Sequence, residues 1–152
     1  MQRRNRVVAF TRDSQLLASL KQWAGRHVEL IAAGDMPTTL AALRLYGQVD
    51  AVVAEMDGAS IAASLEVLRA AKERHAASPR ILVTTGNVPP AAYAAVHERL
   101  ATTMLFAPLQ STQLSQACGI APPAEPQPLP QRLRQPPLTG GIRATSSPSL
   151  IR

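Results

Sequence analysis

Short apolar runs alternate along the chain with longer stretches in which apolar residues recur every three or four positions. RVVAFT (6–11) is a short β-branched run, which predicts a strand. Asp13 or Ser14 can cap the helix that follows, where Leu16, Leu20 and Trp23 share a face and Gly25 supplies the end. HVELIAA (27–33) reads as a second strand, and Asp35 with Pro37 opens a second helix that turns Leu40, Leu43 and Tyr46 to one side. DAVVAEM (50–56) is a third strand, followed by a helix to about residue 75 carrying Ile61, Leu65 and Leu68. RILVTT (80–85) is a fourth, and Pro89-Pro90 starts a helix expected to face Tyr93, Val96 and Leu100 inward. TTMLFA (102–107) is a fifth, with a last helix over 109–118.

Five strand–helix pairs with nearly all-apolar strands describe an α/β fold with a parallel sheet covered on both faces. Right-handed crossovers make it doubly wound, and five strands suit the order 2-1-3-4-5. In such sheets functional groups gather at the carboxyl ends of the strands. Here those ends offer Thr11, Arg12 and Asp13, then Glu55, Met56 and Asp57, then Thr84 and Thr85, then Ala107 and Pro108.

Composition refines this picture at one place. Eight of the 13 prolines fall after residue 118, where a missing N–H and a fixed φ exclude sheet and helix interiors. The folded domain is therefore expected over 5–118, with a disordered Pro/Arg-rich tail over 119–152. Removing the tail is expected to leave stability unchanged, because no core residue goes with it. Leu129 and Leu133 with Arg132 and Arg134 are its candidate partner contacts, as apolar and charged anchors on a pre-extended proline segment; a passive extension is the alternative. Half of the net charge of +6 lies in this tail, yet no aromatic residue interleaves with its arginines to stack on bases, so no nucleic-acid partner is expected. Hydrophobic residues at 46% suffice for one core, built from Ala, Val, Leu and Ile because aromatics are only 3%. No apolar run approaches the ~20 residues of a membrane span, and the basic start lacks the apolar stretch of a secretory leader, so a cytoplasmic protein is expected.

One cysteine excludes an internal disulfide and a Cys-based zinc site. Cys118, at the end of the last helix with no neighbouring base, reads as an inert small residue. His27, His75 and His97 fall on three different elements without ligand spacing. There is no GxGxxG, no GxxxxGK[ST] and no GxSxG, and TRDSQ after the first strand lacks the glycine of a phosphate loop. Neither a metal nor a cofactor is expected, and the chain is read as a non-enzyme.

The strand ends resemble those of the response-regulator receiver domains, the CheY-like family, over about residues 5–118. That family places two acidic residues after its first strand, a phosphoacceptor Asp after its third, Ser or Thr after its fourth and Lys-Pro after its fifth. RVVAFTRD sets Thr11 and Arg12 at the acidic pair; DAVVAEMDG sets Glu55 at the phosphoacceptor. PRILVTTG sets Thr84 at the switch hydroxyl, and MLFAPL sets Ala107 at the lysine, Pro108 at the proline and Met104 where an aromatic is usual. Thr84 and Pro108 match the pattern, whereas Thr11, Arg12, Glu55, Ala107 and Met104 depart from it.

The resemblance implies a flavodoxin-like, receiver-like fold whose pocket is degenerate: a pseudo-receiver. Phosphoryl transfer to a receiver Asp uses Mg²⁺, which needs carboxylates, and Arg12 puts a fixed positive charge in their place. Glu55 is expected to pair with the Arg12 guanidinium; the alternative is imitation of a phosphorylated Asp, with one negative charge against roughly 1.5 to 2. Asp13 is read as a helix cap and Asp57 as a turn residue before Gly58. The implied function is that of a non-catalytic protein-interaction module in bacterial signalling, assembly or localisation. An atypical phosphorylatable single-domain response regulator is the alternative. Protein partners, or a second copy in a homodimer, would use the face of the fourth helix, fifth strand and fifth helix, where Tyr93 and Met104 are the candidate contacts, together with the tail.

Overall fold

The computed structural model describes residues 4–121. Five strands and five helices alternate: β1 Asn5–Phe10, α1 Ser14–Ala24, β2 Val28–Ala33, α2 Met36–Leu45, β3 Ala51–Met56, α3 Ile61–Arg74, β4 Arg80–Thr84, α4 Pro90–His97, β5 Thr103–Phe106 and α5 Ser111–Cys118. The sheet has the order β2-β1-β3-β4-β5, and every pairing is parallel. The expected fold class is the observed one, with ends shifted by a residue or two.

The pleat sends alternate strand residues to opposite faces, which builds two cores. Val8, Phe10, Val52, Ala54, Met56 and Leu82 pack against α2, α3 and α4. Val7, Ala9, Val53, Ile81 and Val83 pack against α1 and α5 through Leu16, Leu20, Ala24, Leu114 and Cys118. Trp23 on α1 donates its Nε1–H to Ser115 Oγ on α5 at 3.1 Å, tying the two helices of the second face together. Desolvation in this core pushes the Cys118 thiol up to about 12, so the thiolate is absent at neutral pH.

Two expectations are corrected here. Tyr93 does not face inward: Ala92 and Ala95 occupy the sheet-facing positions of α4, and Tyr93 is 57% exposed. Small side chains let this short helix lie close to the sheet, and the register set by Pro90 leaves Tyr93 on the outer side. Packing also continues past Cys118. Gly119 takes the left-handed conformation that ends α5 (φ 65°), the Ile120 N–H donates to the Ser115 carbonyl at 3.0 Å, and Ile120 is buried in the α1/α5 core. A chain ending at Cys118 is therefore expected to be about 2 kcal/mol less stable than one ending at Ala121. Thermal unfolding of the two truncations compares them; equal melting temperatures would show that Ile120 contributes nothing. Arg80, the first residue of β4, is buried although it is charged. Leu129, Arg132, Leu133 and Arg134 lie outside the described residues.

Candidate functional site

The carboxyl edge of the sheet brings Thr11, Arg12 and Glu55 together. β1 and β3 are neighbours, with Phe10 opposite Ala54, so the next residues along, Thr11 and Glu55, project side by side. Glu55 is only 4% exposed. Its Oε1 accepts two hydrogen bonds, from the Thr11 hydroxyl at 2.7 Å and from the Arg12 backbone N–H at 3.0 Å. Thr11 Oγ1 in turn accepts from the Asp13 N–H at 3.0 Å. The backbone after β1 is thereby folded around a buried carboxylate, while Ser64 Oγ on α3 donates to the Glu55 carbonyl from the other side.

The expected ion pair between Arg12 and Glu55 is not formed. The guanidinium swings away to donate through Nε to the Gly34 carbonyl at 2.9 Å. The reason is steric and electrostatic: one Glu55 oxygen is already filled by a hydroxyl and a main-chain N–H, and an exposed guanidinium keeps its hydration over the turn after β2. The two charged residues do meet, through the Arg12 backbone.

Asp13 caps α1, accepting at Oδ1 from the N–H groups of Gln15 (2.8 Å) and Leu16 (3.1 Å). Asp57 closes the turn after β3, where its Oδ1 accepts from Ala59 N–H, Ser60 N–H and Ser60 Oγ. The Ala59 N–H first, then the Ser60 bonds and the Arg12 charge, hold the Asp57 carboxyl below its ordinary value against a partial desolvation penalty. Both carboxylates are engaged in backbone geometry.

Thr84 and Ala107 stand at the ends of the next two strands. Thr84 is fully buried, and its Oγ1 has no hydrogen-bond partner within the described structure. The Ala107 N–H donates to the Thr84 carbonyl at 2.9 Å, and the Ala107–Pro108 peptide is cis. Ala107 lines an open cleft of about 460 Å³ with Asp13, Leu16, Ser19, Thr85 and Leu109. Its side chain ends at Cβ, so it sends no charge toward Glu55.

Mg²⁺ asks for six oxygen ligands in near-octahedral array, commonly with one or two carboxylates. The side chains at 11 and 12 supply a hydroxyl that already donates to Glu55 and a cation, so the residues present do not fit the ion. Among the described residues there is no group of three or more His, Cys, Asp or Glu placed to hold a metal. No described helix is long and apolar enough to cross a membrane.

Along the last strand, Met104 is half-buried against the α4 side and Phe106, two residues on, shares its face and is 52% exposed. With Tyr93 on the neighbouring α4, these residues form the apolar part of that surface. Phe106 escaped the sequence reading, although the spacing of Met104 and Phe106 on an edge strand was the available signal.

No family model matches the chain, and no curated protein matches it in sequence. Solved structures that resemble it include CheY-like response regulator receiver domains, whose fold it shares. A response regulator receiver domain protein from Clostridium thermocellum superimposes with a TM-score of 0.60 at 18% identity, over 76% of this chain and 91% of that one. A CheY-like response regulator receiver domain protein from Methanospirillum hungatei JF-1 gives 0.62 at 18% identity, over 75% and 90%. A CheY-like protein, tadZ, from Pseudomonas aeruginosa PAO1 gives 0.59 at 14% identity, over 74% and 94%.

Proposed function

We propose that this chain is a pseudo-receiver: a non-catalytic protein-interaction module in a bacterial signalling or assembly pathway, with a receiver fold and no phosphoryl chemistry. The observation that carries the reading is the state of Glu55. Its carboxylate is buried and satisfied by Thr11 and by the Arg12 N–H, at an edge where the acidic pair of the resembled family is replaced by a hydroxyl and a cation. A nucleophile must be free to attack phosphorus, and the transferring group needs its negative charge neutralised by a metal. What remains available is surface, and Tyr93, Met104 and Phe106 offer apolar area for a protein partner or a second copy.

A specific feature favours the alternative of an atypical phosphorylatable regulator: the buried Thr84 hydroxyl, at the switch position, has no partner. Incubation with acetyl phosphate and Mg²⁺, followed by intact-mass spectrometry, decides between them. The unmodified mass is expected; a hydroxylamine-labile phosphoryl adduct at Glu55 or Asp57 would overturn the pseudo-receiver reading and support the regulator.

A further inference from the structure

Three turns meet at the carboxyl edge, and one residue joins them. Arg12 follows β1; its N–H donates to Glu55 at the end of β3, and its Nε donates to the carbonyl of Gly34 in the turn after β2. Its Cγ would lie 4.0 Å from a Cβ built on Gly34, so the stem packs on that turn. With Phe10, Glu55, Asp57 and Ser60 it lines a cavity of about 50 Å³, no larger than one or two waters fill. We propose that Arg12 is the resident cation of this edge: its guanidinium supplies the positive charge facing Asp35 and Asp57 and holds the turns after β2 and β3 in one arrangement with no divalent ion.

The field of Arg12 reaches both turns. The Asp35 carboxyl is held below its ordinary value first by the Thr38 N–H and hydroxyl, with Arg12 adding to them, and Arg12 contributes in the same sense at Asp57. A guanidinium carried on a side chain cannot dissociate from the protein, unlike a bound metal. The edge is then neutralised permanently rather than conditionally. This deepens the pseudo-receiver reading and rests on it.

Amide hydrogen exchange on the full chain tests the idea, read at Thr38, Thr39, Ala59 and Ser60, whose N–H groups are bonded within the two turns. In the unaltered protein these rates are expected to be the same with and without millimolar Mg²⁺. Arg12→Met should speed them up to about five-fold, again without response to Mg²⁺. Arg12→Asp should speed them too, with Mg²⁺ now slowing them, because a carboxylate replaces the built-in cation. Unchanged rates in Arg12→Met, a Mg²⁺ effect on the unaltered protein, or a folded Arg12→Asp that ignores Mg²⁺ would each overturn the proposal. If Arg12→Asp does not fold, the methionine variant still decides. Unchanged exchange in Arg12→Met would leave the acetyl phosphate test to be decided on its own, so the two readings fall separately.

Discussion

Replacing Arg80 with alanine is expected to cost about 3 kcal/mol, although the residue lies at the amino end of the sheet, away from the candidate site. Its guanidinium is buried without a carboxylate. Nε donates to the Leu100 carbonyl at 2.8 Å, Nη2 to Arg99 at 3.0 Å, and Nη1 to Ser78 at 3.1 Å and Ala76 at 3.2 Å. These carbonyls lie in the loops that follow α3 and α4, where no regular ladder supplies a partner for them. Arg80 therefore stitches both helix ends to the start of β4. Desolvation lowers its pKa, but from so high a value that the charge is retained. Truncation leaves four carbonyls without their donor; a hydrogen bond to a charged group is worth roughly 1.5–3 kcal/mol, and water reaching the part-buried acceptors recovers some of the loss. Arg80→Lys should lie between, since one ammonium cannot span the fork. Urea unfolding reads the difference as a shift in midpoint at constant slope. A loss below about 0.5 kcal/mol for alanine would mean that solvent replaces the whole fork.

The second large effect is expected at Glu55, where the order of two substitutions matters more than either size. Glu55→Leu should cost about 2 kcal/mol, because it strands the Thr11 hydroxyl and the Arg12 N–H in a buried place. Glu55→Gln should cost less than about 1 kcal/mol, since an amide oxygen can accept both bonds that Oε1 now accepts. Arg12→Met should leave global stability nearly unchanged, because the contact with Glu55 runs through the main chain. Equal losses for Leu and Gln, together with a matching loss for Arg12→Met, would point instead to a guanidinium–carboxylate pair. Chemical denaturation of the three variants measures this directly.

The sequence carried the fold because each apolar run is short and several helices open or close on a recognisable residue, such as Asp13, Asp35 and Gly25. The meeting of Thr11, Arg12 and Glu55 followed from strand order alone. Their bonding did not, since a main-chain N–H has no letter in the sequence and charge complementarity favoured the guanidinium. Periodicity counted Tyr93 as inward because it weighs large apolar residues, whereas the sheet accepts Ala92 and Ala95. Arg80 was passed over for a similar reason: a charged residue opening a strand usually meets water, and only the folded loops supply the carbonyls that permit its burial.

The central claim is that a receiver fold here holds a closed, metal-free site. Amide NMR shifts on addition of Mg²⁺ with beryllofluoride, a mimic of the phosphoryl group, test it most directly. The expected result is no saturable shift at Thr11, Arg12, Glu55 or Thr84. Saturable shifts converging on those residues would contradict the account and establish a working phosphoacceptor pocket.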